Sequence, residues 1–369
     1  MKPLNILYVS SAKSWRGGEQ QLVYLFQELH LKGIQQHILC PEGSELAKFC
    51  QQENLSHFTA KKRNSFDFGF AKRIAQLVDE LAINLVNPHD SHAHTFTTIA
   101  GLFYKMKSPI VLHRKVDYEV SSTPLSKFKY NYSGIKKIIC ISSEVQRVLS
   151  QSLKRPEKCI LITDGIDIEK FEESNPEAIR SEFGIPKSHL VIGNVAAITQ
   201  QKDYFTFVDT AEKALFQRKD LHFLIIGDGD QRMEIENLVK AKKLQNSITF
   251  AGFRKDVSTL LPSLDILFFT SEKEGLGTTV LDAFAAKVPV VATDAGGIPE
   301  IIDHGKNGLL APVKNSDLLA KELLTICAND NLRRELAKNA TEVVKNYTKQ
   351  KMAEKTLVVF KEVASQHNS

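Results

Sequence analysis

The sequence has few of the residues that mark a secreted or metal-binding protein. It contains one tryptophan, four methionines and five cysteines in 369 residues. Cys40, Cys50, Cys140, Cys159 and Cys327 show no C-x-x-C spacing, which argues against a zinc site of the Cys type. An odd number of scattered thiols fits a reducing compartment. The cysteines therefore predict core residues of a cytoplasmic protein.

Long hydrophobic segments are also missing. A membrane-spanning helix needs about 18 or more consecutive apolar residues, and no window of this sequence approaches that length. The opening segment, Met1–Ser10, has one basic residue and an apolar run too short for a signal peptide, so it predicts a buried first strand. With 43% hydrophobic and 25% charged residues, the composition is that of an ordinary globular protein. A length of 369 residues exceeds what one core usually serves, which predicts two domains.

Negative charge is scarce in the first half of the chain. Residues 1–160 contain 22 Lys and Arg against 13 Asp and Glu, a net charge of +9, whereas the remainder has a net charge of −4. A basic half favours an anionic partner such as a membrane surface, a phosphorylated acceptor or nucleic acid. Solvated helix faces explain the same charges equally well. The basic clusters are Lys61-Lys62-Arg63, Lys105 and Lys107, Lys127 and Lys129, and Lys136-Lys137.

Short apolar runs alternate with helical periodicity throughout the chain. Repeated strand–helix units predict an α/β protein with parallel sheets covered on both faces, and two such series predict two doubly wound, Rossmann-like domains. The strands expected in the first series are Leu4–Val9, Gln36–Cys40, Asn84–Pro88, Pro109–His113, Lys137–Ile141 and Lys158–Ile162. Those expected in the second series are Leu190–Val195, Leu221–Ile226, Ser247–Ala251, Asp265–Thr270 and Val288–Thr293.

The two series place a domain boundary near residue 164, where an apolar run gives way to a polar stretch. We expect residues 1–164 to form the first domain and residues 165–346 to form the second. The final helical segment, 347–369, carries apolar side chains that must be buried, and we expect it to pack back on the first domain. Ligands of open parallel sheets bind at the carboxyl ends of the strands, so the loops after the strands are the candidates for function.

The loop with the most candidate ligand contacts runs from Ser271 to Phe284, after an apolar strand and into a helix. Its glycines let backbone amides approach a ligand, and the helix start offers free N–H donors to an anion. Glu274 before the helix and Asp282 two turns later can reach different hydroxyls of one bound sugar nucleotide. Such a turn is also common without any ligand, and Asp282 could be an exposed helix charge. The donor-binding residues expected here are Gly275, Leu276, Gly277, Thr278, Thr279 and Asp282.

The spacing of Glu274 and Asp282 resembles the E-x7-E signature of retaining glycosyltransferase family 4, in which an E-G-[FL]-G turn precedes a helix. Val290–Ile301 is similar to the next strand and phosphate-side loop of that family, and Asn307–Leu310 is similar to the segment after them. The second acid is Asp282 where the family more often has Glu. The resemblance implies the GT-B fold, two facing Rossmann-like doubly wound domains with a deep interdomain cleft. It also implies a metal-independent enzyme in which Glu274 orients the sugar.

Two segments of the first half resemble the same family. Gly17 and Gly18 lie in a segment similar to its first loop, where the backbone would rest against donor phosphate or acceptor, although such a turn is more often only a tight connection. The resemblance places at His113 a histidine that contacts the donor sugar, which makes it the second catalytic candidate. The candidates on the acceptor side are Arg16, Arg114 and Lys115, which could also face solvent.

Three histidines, His89, His92 and His94, raise the possibility of a metal site. A third set of ligands is not evident, and the family uses no metal, so we expect neither a metal nor a cofactor. His92 and His94 are expected at a helix start or on the surface.

One segment of the second half departs from the family pattern. Residues 193–203 resemble its G-R-L-x(3)-K-G loop, in which Arg and Lys neutralise the diphosphate. Lys202 matches the Lys, whereas Ala196 or Ala197 stands in place of the Arg and Asp203 in place of the Gly. Gly227-Asp228-Gly229-Asp230 is similar to the family's turn near the nucleotide. Its Asp-x-Asp belongs to a metal motif of another architecture and is discounted.

Together these features predict a retaining glycosyltransferase that moves a sugar from a nucleoside-diphosphate sugar to a glycan or lipid-linked acceptor. The common roles of the family and the basic first half favour cell-envelope polysaccharide or lipopolysaccharide synthesis. They also favour a peripheral contact with an anionic membrane, and we expect no nucleic acid partner. A sugar-nucleotide isomerase or phosphorylase of the same fold, or a non-catalytic sugar-nucleotide-binding protein, are the alternatives. A dinucleotide dehydrogenase is disfavoured because neither half has G-x-G-x-x-G after its first strand.

Overall fold

The computed structural model describes residues 3–171 and 177–368. The chain divides into two units. The first unit comprises Met1–Gly165 and Lys349–Ser369, and the second comprises Ile166–Thr348. The sequence placed the two boundaries after residues 164 and 346, close to these positions.

The first unit is built on a seven-stranded parallel sheet. Its strands are β1 (Asn5–Val9), β2 (Gln35–Pro41), β3 (His57–Ala60), β4 (Leu85–Pro88), β5 (Ile110–Arg114), β6 (Ile135–Cys140) and β7 (Cys159–Leu161). The strand order is β3-β2-β1-β4-β5-β6-β7, so the direction of winding reverses between β1 and β4. Ligands of such sheets bind beside that reversal, at the carboxyl ends of the strands.

Helices cover this sheet. They are α1 (Gly17–Leu31), α2 (Glu45–Gln52), α3 (Phe68–Glu80), α4 (Ser91–Phe103), α5 (Pro124–Tyr130) and α6 (Ser143–Ser150). The buried side chains of α1, among them Leu22, Phe26 and Leu29, recur at helical spacing and join the core with Ile6 and Tyr8 of β1. Amphipathic helices of this kind are held in place mainly by burial of one face.

The second unit repeats the plan with a six-stranded parallel sheet. Its strands are β8 (Leu190–Val195), β9 (Leu221–Ile226), β10 (Ile248–Gly252), β11 (Ile266–Phe269), β12 (Val290–Thr293) and β13 (Leu309–Ala311). The order is β10-β9-β8-β11-β12-β13, with the reversal between β8 and β11. All six residues of β9 are buried, as expected for a central strand covered on both faces.

The helices of the second unit complete its two outer layers. They are α7 (Ala178–Phe183), α8 (Tyr204–Gln217), α9 (Arg232–Ala241), α10 (Val257–Leu260), α11 (Thr278–Ala285), α12 (Ser316–Cys327) and α13 (Asp330–Val344). The last helix, α14 (Lys349–Asn368), belongs to the first unit and packs against α1. Met352, Phe360 and Val363 of α14 join the core of that unit, in line with the sequence analysis.

Each strand expected from the sequence overlaps an observed strand, but two edge strands were missed. β3 reads HFTA and none of its residues is fully buried, so it lacks the apolar run by which a strand is recognised. β13 has three residues, too few to show any periodicity. All five cysteines are buried and free, as the sequence predicted.

Candidate functional site

The loop between β11 and α11 lies at the reversal of the second sheet. Gly277 adopts a left-handed conformation with φ of 91° and forms the N-cap of α11, where no side chain accepts a hydrogen bond from the first turn. A side chain there would be strained, so glycine is favoured for its conformation. The first N–H groups of α11, at Thr278 and Thr279, are left uncapped by protein side chains. This turn therefore has the donors that the sequence analysis expected for an anion.

Glu274 and Lys202 meet at this edge of the sheet. The Lys202 ammonium forms an ion pair with the Glu274 carboxylate, and both side chains are largely shielded, with 15% and 17% of their surface exposed. Ser271 Oγ donates to the same carboxylate oxygen at 3.2 Å, and the Lys202 ammonium lies 4.8 Å from the centre of the Phe269 ring. Sequence reasoning selected both charged residues from separate loops, but it did not show that they pair with each other.

Backbone contacts fix this pair in place. Thr270 Oγ1 donates to the Lys202 carbonyl at 3.1 Å, and the Glu272 N–H donates to the Gln201 carbonyl at 2.8 Å. Gly296 lies beneath the Glu274 backbone, where a Cβ would come within 1.9 Å of the Glu274 carbonyl oxygen. The close approach permits only glycine at this position. The loops after β8, β11 and β12 thus meet around Glu274 and form one seat.

The loop after β8 explains part of the departure from the family pattern. Asp203 adopts the left-handed conformation, with φ of 45°, at the position where the family has glycine. Its carboxylate caps α8 by accepting from the Thr206 N–H at 3.1 Å and the Thr206 hydroxyl at 2.5 Å. Aspartate tolerates this conformation better than most residues and gains a cap there. Ala196 and Ala197 supply no cation, so Lys202 is the positive side chain of this loop segment.

The turn after β9 packs against the same loop. The Ile198 N–H donates to the Asp228 carbonyl at 3.1 Å, and a Cβ on Gly227 would meet the Ala196 carbonyl oxygen. Asp228 forms an ion pair with Arg232 at 3.1 Å. Among residues 3–171 and 177–368, no group of three His, Cys, Asp or Glu side chains is arranged to hold a metal ion.

Asp282 lies on α11, partly buried. Burial raises the pKa of its carboxyl to about 7, with Lys170 opposing the rise and Asp167 adding to it. Its carboxyl is therefore near its midpoint at neutral pH, a property that the sequence did not reveal. The proposed contact of Asp282 with a hydroxyl of a bound sugar nucleotide stays a prediction.

In the first unit, Gly17 and Gly18 form the first two residues of α1. Arg16 is the N-cap residue and lies 3.4 Å from the Glu19 carboxylate, which also accepts from Ser10 Oγ at 3.1 Å. Glu19 is almost wholly buried, and burial raises the pKa of its carboxyl. The glycine turn is thus tied to the end of β1, and its proposed contact with a donor or acceptor stays a prediction.

His113 lies near the end of β5, with 7% of its surface exposed. Neither ring nitrogen has a hydrogen-bond partner among the residues that the structure describes, and the ring stacks on His89 with 4.6 Å between centroids. Burial and the nearby Lys115 lower the pKa of His113 well below 6.5, so the ring is neutral. His89 is fixed by Asn87, whose Oδ1 lies 2.7 Å from His89 Nε2. An unpartnered buried histidine is unusual and marks His113 as a candidate ligand contact.

The acceptor-side candidates have internal partners. Lys115 forms an ion pair with Asp164, and Arg114 donates to the Tyr130 hydroxyl at 2.5 Å and to the Tyr118 carbonyl. Their proposed role stays a prediction, but their cationic groups are already engaged. The expectation that His94 is a helix-start or surface residue is met by the first of the two alternatives. His94 does lie in the first turn of α4, but it is 1% exposed, because it packs edge-on against Tyr130 with ring centroids 4.8 Å apart.

A polar cluster in the first unit was not singled out from sequence. Asp90 caps α4 and accepts hydrogen bonds from the N–H and the hydroxyl of Ser11, at 2.6 and 2.5 Å. Lys62 donates to the Ser11 carbonyl at 2.8 Å and approaches His92 Nδ1 at 3.2 Å. Lys62 was counted in a basic cluster and His92 was weighed as a metal ligand. Their contact joins segments that are 30 residues apart, so no local sequence pattern predicts it.

Comparison with known proteins places both halves of the chain. The family model "Glycosyltransferase Family 4" matches residues 15–170, and "Glycosyl transferases group 1" matches residues 175–343. N-acetyl-alpha-D-glucosaminyl L-malate synthase of Bacillus anthracis is 25% identical over 287 residues, which are 76% of this chain and 74% of that protein. An N,N'-diacetylbacillosaminyl-diphospho-undecaprenol alpha-1,3-N-acetylgalactosaminyltransferase of Campylobacter jejuni is 25% identical over 246 residues, 64% of this chain and 63% of that protein.

Solved structures show the same fold. HepE of Anabaena in complex with UDP-glucose is 20% identical, with a TM-score of 0.84 over 96% of this chain and 100% of that chain. A glycosyltransferase from Rickettsia africae is 22% identical, with a TM-score of 0.85 over 98% and 99% of the two chains. The two parallel-sheet units are thus those of the GT-B fold.

Proposed function

Because this chain belongs to the family 4 type of glycosyltransferases and has the GT-B fold, we propose that it transfers a sugar with retention of configuration and without a metal ion. The observation that carries the proposal is the seat formed by the uncapped start of α11, Lys202 and Glu274. Departure of a nucleoside diphosphate places negative charge on phosphate oxygens, so catalysis needs preorganised donors at the leaving group. The amides of Thr278 and Thr279 and the Lys202 ammonium are such donors.

The sugar is proposed to lie beside Glu274. Its carboxylate would accept hydrogen bonds from sugar hydroxyls once the Lys202 ammonium turns toward the diphosphate. His113 of the first unit is proposed separately as a ligand contact, because its ring is neutral and both ring nitrogens are buried without a hydrogen-bond partner among the described residues. Retention rests on the family resemblance and on these roles together.

The acceptor is proposed to be a glycan, a lipid-linked molecule or a small acidic molecule. The names of two relatives include L-malate and a diphospho-undecaprenol, and both of these carry acidic groups. A role in envelope polysaccharide or lipopolysaccharide synthesis fits the match to a lipopolysaccharide core glycosyltransferase of Rhizobium meliloti, 24% identical over 165 residues, which are 45% of this chain and 47% of that protein.

A peripheral contact with an anionic membrane is proposed as well. Phe66, Phe68 and Phe103 are 54%, 47% and 64% exposed, and the rings of Phe68 and Phe103 are 5.3 Å apart. Arg63 and Lys105, both exposed, lie beside them in the chain. We call these five residues the aromatic–basic surface. Exposed aromatic rings with flanking cations suit the interface of a bilayer that contains anionic lipids. None of the helices described is long and apolar enough to span a membrane.

The donor is tested by thermal shift with UDP-, GDP-, ADP- and CMP-sugars, and UDP-sugars come first because UDP occupies the structural neighbour HepE. The stabilising donor is then incubated with candidate acceptors, and the anomeric configuration of the product is read by NMR. Retention, with activity unchanged by a chelator, is the expected result. An inverted product or full loss of activity with the chelator would refute the respective part of the proposal. Turnover that requires phosphate in place of an acceptor would indicate a phosphorylase.

A further inference from the structure

Basic side chains converge on the first turn of α4 in the first unit. Lys62, from the segment after β3, reaches the Ser11 carbonyl at 2.8 Å and His92 Nδ1 at 3.2 Å. From α5, Lys129 reaches the Ser91 carbonyl and Thr95 Oγ1, each at 3.2 Å. Since Ser91 and His92 are consecutive, two ammonium groups contact the same helical turn.

The negative charge nearby is already engaged. Asp90 accepts hydrogen bonds from Ser11 and from the N–H groups of His92 and Ala93, at 3.0 and 2.9 Å for the latter two. The start of α4 is thus capped by Asp90 and does not itself provide the donors. No ion pair of Lys62 or Lys129 with a carboxylate is found in the described part of the chain, residues 3–171 and 177–368. Both lysines are partly buried, so they differ from the solvated lysines of a helix face.

The contact of Lys62 with His92 also fixes the histidine tautomer. An ammonium can only donate, so Nδ1 of His92 is the acceptor. Burial and then Lys62 lower the pKa of His92, which keeps its ring neutral at pH 7. The proton of the neutral ring is therefore on Nε2, which becomes a third donor at this turn.

Burial is the main cause that lowers the pKa of both lysines. Burial, and then Arg114, lower the pKa of Lys129 to about 8, with Asp90 opposing. Burial also lowers the pKa of Lys62, where Asp90 opposes and Arg16 and Lys13 add to the fall. A bound anion would favour the charged form of both lysines.

We infer that Lys62, Lys129 and Nε2 of His92 form a subsite for an oxyanion, a phosphate or carboxylate group carried by the acceptor. The cluster lies after β3 and β4, beside the end of β1, at the reversal of the first sheet where ligands of doubly wound sheets bind. The inference rests on the proposed function, because it names the class of acceptor for the same transfer. Lys115, an earlier candidate, is not part of this subsite because its charge is neutralised by the ion pair with Asp164.

The test is calorimetric titration of the full-length protein with inorganic phosphate and, separately, with succinate. UDP is present at saturation so that the diphosphate seat of the second unit is filled. We expect saturable binding that weakens about 10–100-fold in Lys62→Ala and in Lys129→Ala, the range for loss of a hydrogen bond to a charged group. The controls are Lys61→Ala and Lys127→Ala, two exposed lysines one and two residues away, and they should bind like the wild type. Tighter binding of phosphate indicates a phosphorylated acceptor, and tighter binding of succinate a carboxylated one.

Two results would refute the proposed oxyanion subsite. If the folded wild type binds neither anion, or if both alanine variants bind as well as it does, the subsite does not exist. Lys62→Met and Lys129→Met, which keep the apolar stems, replace any alanine variant whose thermal unfolding shows a damaged fold. UDP binding is recorded in the same experiment. Its absence would exclude a UDP-sugar as the donor, while the phosphate titration without UDP would still test the subsite.

Discussion

The ammonium of Lys202 is paired with the carboxylate of Glu274, so the two charges proposed to hold opposite ends of the donor neutralise each other in this structure. A diphosphate must compete with Glu274 for Lys202, and sugar hydroxyls must replace Lys202 at Glu274. The exchange keeps both partly buried charges partnered before and after donor binding. A partly buried charge without a partner is costly, so the ion pair stabilises the seat in the absence of the donor.

Replacing Glu274 separates catalysis from nucleotide binding. In Glu274→Gln we expect kcat/KM to fall about 10²–10³-fold, as for loss of a transition-state contact. UDP affinity should hold or rise, because Lys202 loses its competing partner. Steady-state kinetics and calorimetry measure the two effects. The control is Glu272→Gln, which removes a carboxylate paired with Lys314 at 3.1 Å and should leave turnover near normal. Normal turnover in Glu274→Gln would remove its catalytic role.

Removal of Lys202 should weaken UDP binding, which Glu274→Gln should not. Lys202→Ala deletes the cation of the loop after β8, and the affinity for UDP should fall about 10–100-fold by the same measure of a charged hydrogen bond. The control is Lys240→Ala, which removes an exposed lysine of α9 in the same unit. Calorimetry measures the dissociation constant of UDP for the wild type, Lys202→Ala and Lys240→Ala. An unchanged dissociation constant in Lys202→Ala would show that the α11 amides hold the diphosphate alone.

The sequence predicted the fold well because its signals are local. Buried strands such as β9 are continuous apolar runs, and the turn into α11 is a contiguous segment. The partners of the charged side chains were not predictable, because they depend on distant segments. Lys202 and Glu274 are 72 residues apart, and Lys115 and Asp164 are 49 apart. Only the folded sheet brings these pairs together, so the sequence offered Lys115 as an acceptor contact without its partner Asp164 and named Lys62 only as part of a basic cluster.

Acid should destabilise the first unit through its buried histidines. Burial is the main cause that lowers the pKa of His89, His94 and His113 well below 6.5. Below about pH 6.5 the unfolded chain binds protons that the folded chain does not, so the free energy of unfolding falls as the pH falls. We expect the thermal midpoint to drop between pH 7 and pH 5. His94→Gln should lessen the drop, and His367→Gln, at an exposed position, should not. An equal drop in all three proteins would contradict this account.

Asp282 should act in the opposite direction. Its folded pKa is about 7, above the 3.8 of an unperturbed aspartate. Between about pH 4 and 7 the folded chain keeps a proton that the unfolded chain has lost, so stability falls as the pH rises through this window and is level above it. Asp282→Asn removes the effect, so the variant should gain several degrees relative to the wild type between pH 5 and pH 8, since ~1 kcal/mol moves the midpoint by about 2–4 °C. A constant difference between the two melting curves would show that the carboxyl is ionised throughout.

The aromatic–basic surface predicts selective binding to anionic vesicles. Phe103 is 64% exposed beside Lys105, so insertion of its ring and contact of the cation with lipid phosphate reinforce each other. Phe103→Ser should weaken binding to vesicles of phosphatidylglycerol and phosphatidylcholine about tenfold, since burial of a Phe side chain contributes about 1.5–3 kcal/mol when complete. Phe216→Ser is the control, because Phe216 is 84% exposed but lies in the second unit. Sedimentation with vesicles measures the partition coefficient, and raising the salt concentration should lower it. Two results would contradict selective binding of the aromatic–basic surface to anionic lipids. One is that Phe216→Ser weakens binding as much as Phe103→Ser, and the other is that vesicles of phosphatidylcholine alone bind equally well.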